Sequence, residues 1–194
     1  MKDLDANKGI IYRTKDLNDE GISNYIIAKM AESGELVKIC HGVYALDDVS
    51  NIKLTDINVI VENGVISLMS AAVVYKLIDG SFGKTTITID RDQKPPKIPY
   101  DMFVYIYTTS SLYDIGLNVY DVNGRNVKIY DIERTICDIL KHRSKYDSQL
   151  VKQIVINYLE RDDCDIEKLL YYAKQLRIYN VVKRCLEIIG EING

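Results

Sequence analysis

The segment over residues 14–46 constrains the fold more than any other part of the chain. It contains two helix starts, a glycine turn and a short β-hairpin in close succession, an order typical of a winged helix-turn-helix. Thr14 is a suitable N-cap for a first helix over residues 15–20, and Gly21 then turns the chain. Ser23 caps a second helix, which Gly34 ends. The sequence therefore predicts helix, turn, helix and hairpin.

The second helix is amphipathic, so its spacing predicts which side chains face outward. Ile22, Ile27 and Met30 are expected to be buried, with Ile26 and Ala31 beside them. The outward face then carries polar and small side chains that suit the major groove of DNA, where asparagine can read adenine. These outward residues are Ser23, Asn24, Tyr25, Ala28, Lys29 and Glu32.

The hairpin that follows is predicted to form the wing. Leu36, Val37 and Ile39 alternate with Glu35, Lys38 and Cys40, and residues 43–46 can pair back across Cys40-His41-Gly42. Basic residues on the wing and at the start of the first helix are plausible phosphate contacts. The full set of candidate DNA-binding residues is Arg13, Thr14, Lys15, Ser23, Asn24, Tyr25, Ala28, Lys29, Lys38 and His41. The alternative is a small domain that binds protein through the same solvated polar residues.

The charge balance does not by itself favour DNA binding. Residues 1–50 carry six basic and nine acidic side chains, and the whole chain has a net charge of -3. Binding requires positive charge only on the side that faces the groove, and most of these acids lie away from the predicted reading face. We therefore expect modest, salt-sensitive affinity per monomer, supplemented by a dimer or by repeated half-sites.

The rest of the chain predicts a second domain. Met1 to Lys8 offers at most a short first helix, residues 47–53 form a linker, and residues 55–62 are ambiguous between strand and helix and are assigned as helix. Strands over residues 85–90 and 103–108 and an Asn123-Gly124 hairpin predict a sheet, and four helices follow Asp131. The predicted fold class is α+β. A winged helix-turn-helix domain over residues 1–50 precedes a domain over residues 51–194 with a small, mostly antiparallel sheet and a C-terminal helical bundle.

Several functional classes are not favoured by the composition. Four scattered cysteines and two histidines show no zinc-ligand spacing, and the cysteines are expected to be small buried hydrophobes rather than disulfides. No metal or other cofactor is predicted. The chain has no apolar run long enough to span a bilayer and no signal-like segment, so a soluble cytoplasmic protein is expected.

Two segments together resemble the AbiEi family of bacterial antitoxins. They are His41-Gly42-Val43-Tyr44 at the end of the wing and VKIYDIERTICDIL over residues 127–140, and the order of the elements agrees as well. The resemblance implies a winged-helix domain that represses its own operon by binding the promoter. It also implies a C-terminal domain that neutralises a nucleotidyltransferase-like toxin, AbiEii, from the neighbouring gene. Such systems are type IV toxin-antitoxin systems associated with abortive infection by phage.

The charged residues of the second segment allow two interpretations. Arg134 and Asp138 are spaced i,i+4 and can form an ion pair, while Glu133 can complement the helix N-terminus. The structural interpretation is a charged connection between helix and sheet. The functional interpretation is a contact surface for the toxin or the operator.

A different functional class, a metal-dependent enzyme acting on nucleic acid, is the alternative hypothesis. Asp90 and Asp92 stand at a predicted strand end and could hold Mg²⁺. No Gly-rich phosphate loop accompanies them, so the sequence favours a regulator without catalytic residues.

Overall fold

A computed structural model describes residues 11–46, 52–80 and 83–193, and the short helix predicted within Met1 to Lys8 and most of the linker predicted over residues 47–53 lie outside these ranges. The fold is mixed α+β. The chain divides into two compact units. The first comprises the described residues up to 64 together with 93–102 and 119–128, and the second comprises residues 65–92, 103–118 and those from 129 onward. The domain division at residue 50 stays a prediction.

The first unit has the predicted order of helix, turn, helix and hairpin. Helix α1 is Thr14–Asp19 and α2 is Asn24–Ser33, and they are followed by β2, Val37–Cys40, and β3, Val43–Ala45. A strand that the sequence analysis did not predict, β1 at Ile11–Arg13, pairs antiparallel with β3, so the hairpin becomes a three-stranded sheet in the order β1-β3-β2. Three residues are too few to show a strand period, and the partner of β1 is distant in sequence.

Local signals fix the ends of the two helices. The Ser23 hydroxyl accepts a hydrogen bond from the Ile26 amide, as predicted, and Gly34 closes α2 in the left-handed conformation at φ 81°. The predicted cap of α1 is wrong by one residue. Arg13 occupies the N-cap position, and its backbone N–H donates to the Asp16 carboxylate at 2.9 Å. The carboxylate of Asp16, in the first turn of α1, therefore caps the N-terminal end of the helix.

A small apolar cluster holds these elements together. Its buried members are Tyr12, Leu17, Ile27 and Leu36, and Ile22 and Met30 pack against them, as the amphipathic pattern predicts for α2. Ile26 differs from expectation, because 46% of it is exposed. The inward stripe of this short helix is therefore narrower than the sequence pattern indicated.

The first unit also contains a helical stretch at residues 54–60. A 3-10 turn at Leu54–Asp56 leads into α3, Ile57–Ile60, so the helical assignment of this ambiguous stretch is confirmed. The side chain of Asn58 is 8% exposed and satisfies several backbone groups. Its Nδ2 donates to the carbonyls of Val61 and Gly64, and its Oδ1 accepts the Lys128 amide at 2.8 Å.

The sheet of the remaining chain has five strands in the order β6-β5-β4-β8-β7. The strands are β4 at Val65–Ile66, β5 at Thr85–Asp90, β6 at Phe103–Thr108, β7 at Leu117–Val122 and β8 at Arg125–Tyr130. The turn between β7 and β8 has positive φ at both Asn123 and Gly124, which confirms the hairpin predicted from Asn-Gly. Residues 119–128 of this hairpin group with the first unit.

The pairing in this sheet differs from the mostly antiparallel arrangement expected. β4 pairs antiparallel with β5, but β5 with β6 and β4 with β8 are parallel. Parallel neighbours require a crossover of about a dozen residues or more, and the proline-containing segment 91–102 provides one between β5 and β6. Strand propensity does not encode strand direction, so the sequence pattern did not reveal the two parallel pairs.

Helices form most of the second unit. They are α4 at Leu68–Val74, α5 at Ser110–Tyr113, α6 at Ile132–Lys141, α7 at Ser148–Leu159, α8 at Ile166–Gln175 and α9 at Tyr179–Asn193. Asp131, Asp147 and Asp165 cap α6, α7 and α8, as the sequence indicated. The last helix was predicted to end at Gly190, but it continues to Asn193. One apolar cluster joins α4 with α6 to α9.

Two of the four cysteines lie in the core, as the sequence predicts for small apolar side chains. All four are free, with Cys40 and Cys137 buried and the other two half-buried. Burial raises the pKa of the Cys137 thiol to about 12. Within the described residues, no helix has the length and apolar character needed to cross a bilayer.

Candidate nucleic-acid interface

The outward face of α2 is open to solvent, as its sequence pattern predicts. Ser23, Asn24, Ala28 and Lys29 are exposed, and 68% of Tyr25 is accessible. Of the inward positions, Ile27 is 2% exposed. Large aromatic side chains are usually buried to a greater extent than this. The exposed face of α2 is therefore available for a ligand.

Tyr25 and Lys29 act as a pair. The Lys29 ammonium lies 4.9 Å from the centroid of the Tyr25 ring, one helical turn away. This cation–π contact restricts a long side chain and keeps its charge at the surface of α2. The pair therefore presents an aromatic ring and a positive charge side by side, and such side chains can contact bases and phosphates.

Asn24 is positioned by a residue that the sequence analysis did not select. The Asn18 amide donates both to the Ile22 carbonyl at 2.8 Å and to the Asn24 side-chain oxygen at 3.1 Å. Asn18 thus braces the turn between α1 and α2 and orients Asn24. One lone pair of the Asn24 oxygen is engaged, while its exposed NH₂ group can donate to a base acceptor.

The wing contributes two exposed polar side chains. Lys38 lies on β2 and His41 at the turn to β3, and both are exposed. Gly42 makes this tight turn at φ 71°, which favours glycine. Its carbonyl accepts the backbone amide of Thr14 at 2.8 Å and the Thr14 hydroxyl at 3.3 Å. The wing turn is thereby tied to the start of α1.

The ten predicted DNA contacts therefore separate into two groups. Thr14 is half-buried and bonded to the wing turn. Arg13 donates from Nε to the Val59 carbonyl at 3.1 Å and from Nη2 to the Asn58 carbonyl at 2.9 Å, which are structural contacts inside the first unit. The others have exposed side chains: Lys15, Ser23, Asn24, Tyr25, Ala28, Lys29, Lys38 and His41. Their contacts to DNA stay predictions.

The charged residues of α6 lie inside the second unit. Glu133 and Arg134 are each 2% exposed and Asp138 is 7% exposed. Arg134 donates from Nε to Asp138 at 2.9 Å and from Nη1 to the carbonyls of Leu112 and Ile115. Burial raises the pKa of Asp138, while the Arg134 charge and hydrogen bond oppose that rise. These bonds agree with the structural interpretation, in which the charged residues connect elements inside the protein. Side chains buried to this extent are not accessible to a toxin or an operator.

Lys168 on α8 is half-buried and joins this network from its solvent side. Its ammonium bridges Glu133 at 2.8 Å and Asp131 at 3.1 Å, and the Tyr172 hydroxyl donates to the same Asp131 carboxylate. Burial alone lowers the pKa of Lys168, but the two carboxylates more than offset it, so the net pKa is raised. Each charge in the network has a partner, as buried ion pairs require.

The two acids of the alternative hypothesis form a local turn. The Asp90 carboxylate accepts the backbone amide of Asp92 at 2.9 Å, and this bond, with one from Ser110, lowers the pKa of Asp90. Among the described residues there is no group of three or more His, Cys, Asp or Glu side chains positioned to hold a metal ion.

The fold is similar to that of a solved structure. The crystal structure of the RV2827C protein from Mycobacterium tuberculosis superposes with a TM-score of 0.59 at 13% identity, covering 87% of this chain and 67% of that chain. At this identity the likeness concerns the fold alone. No match is found among curated proteins.

The sequence of the first unit carries a family signature. A family model described as a transcriptional regulator, AbiEi antitoxin, matches residues 1–46. The matched range contains α1, α2 and the wing, and therefore the whole exposed face described above. The resemblance drawn from the sequence is confirmed over this range: residues 1–46 are similar to the AbiEi antitoxin transcriptional regulators.

Proposed function

We propose that this protein is a DNA-binding autorepressor and antitoxin of a type IV toxin-antitoxin system, in which α2 reads the operator as the recognition helix of a winged helix. The observation that carries the proposal is the exposed Tyr25–Lys29 pair on a helix within the range that matches the AbiEi regulator family. A DNA-reading helix needs its polar face free and its apolar face fixed, and α2 meets both conditions.

Four of the exposed residues have specific proposed roles. Lys29 and Lys38 hold phosphates on either side of the groove, and these contacts give affinity without sequence preference. Asn24 and Tyr25, nearer the start of α2, touch base edges, because a recognition helix enters the major groove by its N-terminal part. Asn18 is a positioning residue, since it acts through Asn24.

The test measures binding of the full chain to a fragment of its own promoter by fluorescence anisotropy across a salt series. Lys29→Ala is expected to weaken binding to all sequences and to reduce the salt slope by about 1. Asn24→Ala is expected to relax the preference for operator over scrambled DNA, by about 1–3 kcal/mol of discrimination. Lys183→Ala is the control, because it removes an exposed lysine on α9, far along the sequence from the candidate face.

A combined variant separates the two proposed activities. Substitution of Asn24, Tyr25, Lys29 and Lys38 by alanine is expected to abolish binding to the promoter fragment. The same variant is expected to keep its ability to restore growth when co-expressed with a nucleotidyltransferase-like toxin from the neighbouring gene, because the second unit is unchanged. Wild-type operator binding by this variant would mean that α2 is not the reading helix.

A further inference from the structure

The second unit contains an apolar groove that the proposed DNA-binding function does not use. Its volume is about 990 Å³, and it is bounded by the end of α6, by α7 and by α9. The floor is made by buried aliphatic side chains, among them Leu140, Val151 and Ile189. This volume lies at the upper end of the range of about 300–1,000 Å³ that is usual for ligand sites.

One side of the groove is a helix face that the described residues cover only in part. Val181, Cys185 and Ile188 of α9 line the groove at i, i+4 and i+7, the spacing by which one helix packs against another. Val181 and Cys185 are half-buried, whereas 48% of Ile188 is exposed. On α7, Ser148, Val151 and Lys152 form the facing wall at i, i+3 and i+4. Two helix faces with this spacing form a trough that fits a third helix.

The charges on the rim are all of one sign. Arg143, Lys152 and Arg184 line the groove, and no aspartate or glutamate is among its lining residues. The nearest acids along the sequence are already engaged: Glu187 pairs with Lys183, and the Asp147 carboxylate accepts the first amides of α7. An apolar floor with three cations at its edge is complementary to an apolar stripe flanked by carboxylates.

We propose that this groove binds an acidic amphipathic helix of a partner protein. Apolar side chains at i, i+3 or i+4, and i+7 of the partner fill the floor, and its flanking aspartates and glutamates pair with Lys152 and Arg184. Arg143 supports the rim, since its Nη1 also donates to the Leu140 carbonyl at 3.0 Å. The proposal goes beyond operator binding and does not depend on it.

The test selects ligands for the full-length protein from a displayed library of helical peptides with randomised faces. Peptides with acidic residues flanking an apolar stripe are expected to be enriched. The Lys152→Glu/Arg184→Glu double variant is expected to weaken the selected peptides at least about tenfold. The Lys183→Glu variant should change affinity less than about twofold, because this lysine lies on α9 outside the groove lining and the affected charge is solvent-exposed.

A second pair of variants tests the apolar floor. Ile188→Ser should weaken the same peptides, whereas Tyr171→Ser, which alters an exposed aromatic on α8, should not. Circular dichroism and thermal unfolding establish that each variant is folded. Failure to enrich groove-dependent peptides, or enrichment of basic peptides, would overturn the proposal. Competition by single-stranded DNA at the groove would also overturn the proposal, because the occupant would then be nucleic acid. A dimer in sedimentation that Ile188→Ser dissociates would overturn it as well, because the occupant would then be a second copy of the chain.

Discussion

At the scale of single residues, Gly116 illustrates how backbone and buried charge depend on each other. It adopts φ 72°, and a Cβ atom placed there would lie 2.6 Å from the Arg134 Cβ and 3.0 Å from an Asp131 carboxylate oxygen. Its carbonyl also accepts the Asp131 amide at 2.7 Å. The turn before β7 can therefore approach the start of α6 only where there is no side chain.

We expect Gly116→Ala to destabilise the protein strongly. The added methyl group meets atoms of a buried ion network and the backbone stays in a strained region, so the loss in unfolding free energy should be about 3 kcal/mol or more. Gly124→Ala is the matched control. Its φ is 77°, but no heavy atom lies within 4 Å of the added Cβ, so a loss of about 1 kcal/mol is expected. Urea unfolding of both variants measures the difference, and equal losses would contradict the steric argument.

At the scale of elements, the tip of the β7–β8 hairpin is secured to the 3-10 turn of the first unit by one ion pair. Arg125 pairs with Asp56, whose side chain is 0% exposed, and also donates to the Ile11 carbonyl. The Asp56 carboxylate further accepts the Lys53 amide. A buried carboxylate with this partner set is stable only while the guanidinium remains.

Removal of this guanidinium should therefore cost much more than loss of an exposed ion pair. Arg125→Ala is expected to lower the unfolding free energy by about 3–5 kcal/mol, because Asp56 is left buried without its counter-charge. Arg125→Lys keeps the charge and should recover part of the loss. Lys183→Ala breaks an exposed i,i+4 pair with Glu187 and should cost less than about 0.5 kcal/mol. Chemical denaturation of the three variants tests the order, which would be contradicted if Arg125→Ala resembled Lys183→Ala.

At the scale of the whole molecule, the unfolding free energy should depend on pH in the alkaline range. Burial raises the pKa of Cys137 to about 12 from 9.0, and of Tyr113 and Tyr172 to about 12 from 10.0, and it also raises the pKa of Tyr130. The folded state thus retains protons that the unfolded chain releases. These groups contribute their full stabilisation below the unfolded pKa, and it is lost as the pH rises toward the folded value.

We expect the unfolding free energy to fall steadily above about pH 9, by up to about 1.4 kcal/mol per pH unit for each proton retained. Cys137→Ala should lower stability at neutral pH through a small cavity but show a shallower decline between pH 9 and 11. Val151→Ala is a non-titrating core truncation and should keep the wild-type slope. Urea unfolding at a series of pH values measures these slopes, and parallel curves for Cys137→Ala and Val151→Ala would show that the thiol does not contribute.

The sequence by itself determined the features that depend on near neighbours along the chain. Ser23, Asp131 and Asp165 cap helices as predicted, and Asn123-Gly124 forms the expected hairpin turn. A cap or a tight turn is made by hydrogen bonds over two to four residues, so the residue types that make it are visible in a short window. The spacing of α2 likewise identified its exposed face, because burial follows the helical period.

Only the tertiary structure decided which distant segments meet. It paired β1 with β3, aligned β5 parallel to β6, and turned Arg13 toward the carbonyls of α3. It also buried Glu133, Arg134 and Asp138, which one interpretation of the sequence had left on a surface. Long-range contacts are selected by the packing of the whole core and by the pairing of buried charges, and neither leaves a local pattern.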